Sequence, residues 1–273
     1  SKQNSDYIEQ MGVYGSKPTI GVQGKTLGED EGTRFNHNAY IKYLAKDLFW
    51  GTSLDASVYR QSFKTVYGFT TFFQNGGQST IESDKKGLRL NLNTPYKAAD
   101  WFTGDVVYGV DVLNDVTSQK LTDGRTWVPE MDMKNTAPYL QATAVIYNNW
   151  ILKAGYRYDA VNIEVPSFTQ IVDANGNGGK SITGGEVDFN ASTFNAGLRF
   201  AKWEIFKPFV SYTQGFSVID LGRFVRAAQE DELSKMQIEP VVVNNYEAGF
   251  SSSHQWFAFT GSYFLSTNKV GAS

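Results

Sequence analysis

Hydrophobic and polar residues alternate along much of this chain with a period of two. From Trp150 to Asp159 the even positions are Trp, Leu, Ala, Tyr and Tyr, while the odd ones include Lys, Gly, Arg and Asp. The same pattern runs through Leu54–Val58, Leu88–Asn93, Leu140–Ala144, Phe194–Phe200 and Tyr246–Ser251. Successive side chains of a strand point to opposite faces, so each run predicts a strand with one apolar and one polar face. Helical spacing appears nowhere at length. The best helix candidate is the short segment Ala227–Lys235, which lies between strands.

A second pattern has a longer period. Trp recurs at 50, 101, 150, 203 and 256, about every fifty residues, each time after a short, mostly polar break such as Asn148-Asn149 or Ala201-Lys202. After each of the first four come an alternating strand, a long irregular stretch, a second alternating strand and the next short break. The long stretches are expected near residues 64–80, 114–136, 164–186 and 216–242. They hold the densest turn chemistry, including Gln74-Asn75-Gly76-Gly77 and the Gly/Asn-rich run from Asp173 to Gly179.

Two architectures fit a unit of this length. A propeller blade would need four short strands per unit, whereas two long runs are present. An antiparallel up-and-down transmembrane β-barrel has short turns on one side, long loops on the other and aromatic girdles at both interfaces. Tryptophan settles at such a boundary because its ring is apolar and its N–H seeks water. On this reading Trp50, Trp101, Trp150 and Trp256 share one band. Leu54, Leu88, Val106, Leu152 and Ala196 face lipid, and the odd face lines a wet interior. A soluble β-propeller or sandwich acting as a binding module, and a small porin-like or adhesin barrel, remain the alternatives.

Composition narrows the classes further. Aromatics make up 15% of 273 residues and Gly is frequent at 26, which favours many strands and turns. The 25 Lys and Arg against 28 Asp and Glu give a net charge of −3, without the basic excess of a nucleic-acid binder. Absence of Cys excludes disulfides, thiol nucleophiles and thiolate metal sites. No stretch approaches the ~18 apolar residues of a membrane helix. No basic start followed by an apolar core opens the chain, so a protein that is not exported, or a mature or excised piece, is expected.

Several segments resemble one family. Lys207–Ser217, read Lys-Pro-Phe-Val-Ser-Tyr-Thr-Gln-Gly-Phe-Ser, resembles a strand of TonB-dependent outer-membrane siderophore receptors, and Asp220-Leu221-Gly222-Arg223 is similar to the next segment of those receptors. Pro240 with Asn245-Tyr246-Glu247-Ala248-Gly249-Phe250 resembles the family's Tyr-Glu-x-Gly element, and Phe257–Thr267 its following strand. Asp84–Leu90 and Leu152–Asp159 look like recurrent barrel strands. The family's order is broken where Glu239 precedes Pro240, and Ser251 stands where a basic residue is usual.

The resemblance implies part of a barrel of about 22 strands, with 10 or 11 of them here. Residues 1–273 would form one partial β-barrel domain without the plug domain of the family. It also implies uptake of a ferric siderophore energised through TonB, in the outer membrane of a Gram-negative bacterium. The surroundings would be outer-membrane lipid and lipopolysaccharide, with no nucleic acid as partner.

The loops carry the candidate chemistry. Tyr67, Phe69, Phe72 and Phe73 share one, Arg125 and Trp127 a second, and Phe216, Arg223, Phe224 and Arg226 a third. Guanidinium forks suit carboxylates and related oxygen groups, and aromatics supply rigid contact area. Tyr67, Arg125, Trp127, Phe216, Arg223 and Arg226 are therefore the expected ligand-binding residues, in a vestibule that needs no cofactor. Arg223 has a competing structural role as the ion-pair partner of Asp220 or Glu230.

His37 and His254 have no ligand neighbours at metal spacing. Asp173, Asn175, Asn177 and Gly178 match only the first half of a calcium loop, because Gly184 stands where its closing carboxylate belongs. The acidic runs at 29–31 and 230–232 read as solvated loop. No nucleophile elbow, triad order or phosphate loop is visible, so no catalysis is expected.

Overall fold

The computed structural model describes residues 2–5, 32–203, 205–217, 221–226, 228–236 and 240–268. Eleven strands form one antiparallel sheet in which each strand pairs with the next along the chain. They are β1 (Lys2–Ser5), β2 (Gly32–Ala45), β3 (Ser53–Val66), β4 (Ser79–Ala99), β5 (Phe102–Leu121), β6 (Thr126–Ile146) and β7 (Trp150–Val165). A two-residue pair, β8 (Phe168–Thr169) and β9 (Ser181–Ile182), decorates the next connection. Then come β10 (Gly185–Phe200), β11 (Lys207–Ser217), the short helix α1 (Leu221–Arg226), β12 (Val241–His254) and β13 (Phe257–Asn268). The order is that of an up-and-down barrel wall, open between its first and last strands, and the described residues form no propeller blades.

Register converts the alternation into horizontal rows. Leu54, Leu92, Tyr108, Leu140, Tyr156 and Phe194 lie side by side across six adjacent strands. Ala142, Ala154, Ala196 and Tyr212 form another such row. These side chains have no second protein layer over them, and Leu88, Leu140, Leu152, Tyr156, Phe194 and Val210 are all exposed. Leu54, Leu88, Val106, Leu152 and Ala196 occupy this outer face, as the alternation requires. Trp50, Trp101, Trp150, Trp203 and Trp256 all lie at the end with the short connections, and all are exposed.

The opposite face carries a polar network. Arg157 donates to Asp111 at 2.7 Å and to Asp159 at 2.9 Å, Arg89 donates to Asp111, and Asn135 donates to Asp159. Asp159 is only 1% exposed, so its two donors offset the cost of removing a carboxylate from water. Tyr139 lies over Gly109 on the same face. A Cβ at Gly109 would stand 1.9 Å from the Leu90 carbonyl oxygen and 2.7 Å from the Tyr139 hydroxyl, so only glycine fits.

Both faces change character at one height. On the outer face Val58, Leu88, Val112, Thr136 and Ala160 form a row, and the next row toward the long connections is Arg60, Lys86, Asn114, Lys134 and Asn162. From Trp150 to Ala160 is ten residue steps on β7, which is roughly 33 Å along the strand and about 25 Å along the normal at a ~40° tilt. That is the height of an outer-membrane apolar band. Above it the inner face turns apolar: Val161, Ile163, Val165 and Phe189 form a buried cluster with Val225 of α1 and Leu233. The odd face therefore lines a wet interior only as far as Asp159.

Two expected boundaries are corrected. Residues 114–136 are not a loop, because β5 and β6 stay paired from Phe102–Ile146 up to Lys120–Thr126, leaving a four-residue tip, Thr122–Arg125. Their alternation fades because lipid no longer selects one face. The helix is Leu221–Arg226 and not Ala227–Lys235. Beyond Ala228 the backbone is committed to Thr183, which donates to the Asp231 carbonyl at 2.8 Å and accepts from Leu233 N–H at 3.0 Å. Only Leu233–Lys235 makes a single 3-10 turn.

Candidate functional site

Three long connections and the β5–β6 tip meet above the sheet. Residues 67–78 join residues 166–184 through Gln74 N–H to Val172 O at 2.9 Å and Ala174 N–H to Phe72 O at 2.8 Å. The tip joins the first of these through Thr122 N–H to Gln78 O, and Gln78 is fully buried. The connection after β11 is held by Gln170, whose amide donates to the carbonyls of Arg226 and Ala228 at 3.3 and 2.9 Å. Arg226 is the last residue of α1, so its carbonyl is one that the end of a helix leaves without a partner. Lys180 also donates to Gln229 O.

Where these segments meet there is a cleft of about 370 Å³, within the roughly 300–1,000 Å³ of ligand sites. Phe72, Trp127, Gln170, Asp173, Asn177 and Arg226 line it. The Arg226 guanidinium lies over the Trp127 ring, 4.8 Å from its centroid. Trp127 is held edge-on by the buried Phe73, with centroids 4.8 Å apart, and Phe72 stands 5.8 Å away. The indole is thus a fixed platform, and a cation over its face remains available to an anion on its other side. Among the described residues no carboxylate forms an ion pair with Arg226.

Asp173 on the opposite wall is occupied locally. Its carboxylate accepts from the backbone N–H groups of Asn175 and Asn177 and from the Asn177 side chain, at 2.8–2.9 Å. The Asn177 amide and these backbone donors hold its pKa below the ordinary carboxylate value. Donors supplied by its own turn support a hydrogen-bonded loop here and not half of a calcium site.

The expected residues separate into groups. Trp127 and Arg226 come together in the cleft. Arg125 sits at the hairpin tip and clamps loops, donating to Gln74 O at 2.7 Å and to Asp123 at 2.8 Å. Its guanidinium keeps the Asp123 carboxyl below its usual range. It borders an adjoining depression of about 520 Å³ with Gln74 and Asn75. Tyr67 is tied through its N–H to Ser79 O at the top of β3 and is not in the cleft lining. Phe216 packs against the buried cluster of Val161, Ile163 and Phe189. Arg223 is exposed on α1 and is not in the lining either.

The side chain of Phe224, together with Asp220 and the acidic run at 29–31, lies outside the described residues. Gln170 and Asp173 were not expected at the site. Gln170 carries no local signal, since its partners lie in a distant connection. Asp173 was visible only as a turn residue and as the first position of half a calcium loop.

An antiparallel wall with an apolar outer band, a Trp girdle at its short turns and a loop-built cleft above defines a bacterial outer-membrane type of barrel. The chain belongs to the TonB-dependent receptor-like β-barrel family, whose model matches residues 3–269. It is 25% identical to the ferric aerobactin receptor of Klebsiella pneumoniae over all of this chain and 43% of that protein. It is 27% identical to the rhizobactin receptor of Rhizobium meliloti over 38% of this chain and 15% of that protein. The chain thus spans less than half the length of the relatives it matches.

Among solved structures, the siderophore receptor PiuA from Acinetobacter baumannii superposes with a TM-score of 0.66 at 13% identity, covering 89% of this chain and 41% of that one. The ferric-catecholate import receptor Fiu from E. coli K12 gives 0.61 at 14%, covering 86% and 40%. The copper transporter OprC gives 0.68 at 10%, covering 87% and 39%. These likenesses show the fold. The relatives are named receptors and transporters, not enzymes.

Proposed function

We propose that this chain is part of the barrel wall of an outer-membrane receptor that takes up a ferric siderophore, with energy delivered through TonB. The wall stands in outer-membrane lipid and lipopolysaccharide, with its long connections facing outward. Residues 1–273 act as one partial barrel domain, and the plug and the contact with TonB belong to other parts of the receptor. The carrying observation is the cleft in which Arg226 lies over Trp127. A cation on an aromatic platform suits an oxygen-rich, anionic chelate with planar parts. Arg125 shapes the rim, Arg223 extends the positive surface on α1, and Tyr67 and Phe216 support the connections from below. Uptake needs differential binding and a conformational response, not covalent chemistry.

The test uses the full-length receptor at normal surface expression. Ferric aerobactin, rhizobactin and a ferric catecholate form the panel, chosen from the names of the similar proteins. A charged hydrogen bond from a partly desolvated Arg226 is worth about 1.5–3 kcal/mol, so Arg226→Ala weakens the accepted ligand by roughly 10–150-fold. Trp127→Ala has an effect in the same direction. Unchanged affinity in Arg226→Ala and in the Arg223→Ala, Arg226→Ala double variant removes this cleft from the ligand site. No binding of any panel member by the unmodified receptor overturns the siderophore assignment.

A further inference from the structure

Asp173 and Trp127 line one cleft from positions set by a single residue. Phe73 is buried, its backbone bridges to Asp173, and its ring holds the Trp127 indole edge-on. The bonds from Gln74 N–H to Val172 O and from Ala174 N–H to Phe72 O close that bridge on both sides. The carboxylate thus shares its anchor with the platform under Arg226. A carboxylate has about four acceptor positions. Asn175 N–H, Asn177 N–H and the Asn177 amide take three of those on Asp173. All three donors are neutral, so one acceptor position and the negative charge are left for the cleft.

Charge in and around the cleft is balanced. Among the described residues, Arg226 and Asp173 are the charged members of its lining. In the adjoining depression Arg125 is paired with Asp123 at 2.6 Å. Nearby, Lys235 pairs with Asp231 at 2.8 Å and with Glu232 at 3.3 Å. Lys235, and more weakly Lys180, hold the Asp231 carboxyl below its usual range. One cation therefore shares the cleft with one anion.

We infer that Asp173 is a specificity-determining residue that turns polyanionic chelates away, so that the cleft takes a ferric hydroxamate with a carboxylate for Arg226 and an ammonium or hydroxyl donor for Asp173. The inference rests on the uptake reading above and narrows it. Three hydroxamates, each giving up one proton, leave ferric iron uncharged. Three catecholates, each giving up two protons, leave it a triple anion. An uncharged core suits the apolar wall of Phe72, Trp127 and Ile171, and one carboxylate suits one guanidinium. A triple anion would find a single cation and be repelled by the carboxylate in the same cleft.

The test measures binding of synthetic ferric chelates to the detergent-solubilised full-length receptor at physiological salt. One trihydroxamate framework carries a carboxylate and an ammonium at opposite ends, the carboxylate alone, or neither, and the fourth probe is a ferric tris-catecholate. The unmodified receptor binds the first most tightly and the tris-catecholate least. Asp173→Asn keeps an acceptor oxygen for the two backbone N–H groups and removes the charge. It weakens the carboxylate–ammonium probe about threefold, as loss of an exposed ion pair does. It tightens the tris-catecholate about fivefold, from like charges roughly 6 Å apart in salt-screened water. The ratio of the two affinities moves by about fifteenfold. Glu164→Gln, which removes the same charge from the outer wall, leaves that ratio unchanged.

If Asp173→Asn loses heat-modifiable migration, Asp173→Ser, whose hydroxyl still accepts from the turn, carries the comparison. A ratio unmoved by the Asp173 variant, a ratio moved equally by Glu164→Gln, or an unmodified receptor that prefers the tris-catecholate overturns the inference and leaves the uptake reading standing. No binding of any of the four probes overturns both.

Discussion

Arginine placed at two depths on β6 tests the membrane frame. Leu140 is 52% exposed on the outer face and lies in the row of Leu92 and Tyr156. That row is near the middle of the interval from Trp150 to the charged row. Thr136 lies on the same strand and face, in the last row before Lys134. A lipid-facing Arg costs about 2–4 kcal/mol at the midplane and about 0–1 kcal/mol at the interface. Leu140→Arg should therefore lower the folding equilibrium by roughly 30- to 1,000-fold, and Thr136→Arg by no more than about fivefold. The assay is urea unfolding of the full-length receptor folded into lipid vesicles, with heat-modifiable migration as the readout. A neutral Leu140→Arg, or a Thr136→Arg at least as costly, would refute the assignment of the outer face to lipid.

The interior and the loops give further expected outcomes. Gly109→Ala forces β5 away from Leu90 and Tyr139, and overpacking of this kind costs about 1–3 kcal/mol in the same unfolding assay. Gln170→Ala leaves the carbonyls of Arg226 and Ala228 without their donor, and each such loss costs about 1–3 kcal/mol. It should appear as faster hydrogen exchange in the connection after β11 and not in β4 or β5. The lowered pKa of Asp173 means that its turn is fully stabilised above the unfolded carboxylate pKa of about 3.9 and loosens as pH falls through the lower folded value. Exchange at the Asn175 and Asn177 amides, corrected for intrinsic rates, should be flat from neutral pH to about pH 5 and rise only below about pH 3.9; a rise near neutrality would contradict it.

Much of the wall could be read from residue order because lipid imposes a simple rule. Leu88, Leu90 and Leu92 must face out, and Arg89, Asn91 and Asn93 must not. The recurring Trp marked the short-turn end for the same reason. Legibility ended where lipid ended. In β7 the apolar phase moves from even to odd positions between Ala160 and Val161, and the inner face there is covered by α1 and Leu233. Nothing local distinguishes that packing from an irregular loop, and so the upper halves of β5 and β6 looked unstructured. The cleft was legible only in part. Arginine and aromatic content identified Trp127 and Arg226, but their meeting depends on Gln170, Gln74 and Thr183 joining segments that are remote along the chain.

Val225 and Leu233 are almost wholly buried against β7 and β10, on either side of the segment that presents Arg226, Ala228 and Gln229 to the cleft. That segment is a shelf bolted to the wall at two points. The tips at Gly124 and Gly176 are different: a Cβ at either glycine would meet nothing within 4 Å. Both glycines hold a positive φ, +93° and +86°, so drift at these tips is limited by the local turn and not by packing against the shelf. A wall built this way can change what its rim presents while the inherited frame of the cleft floor stays in place.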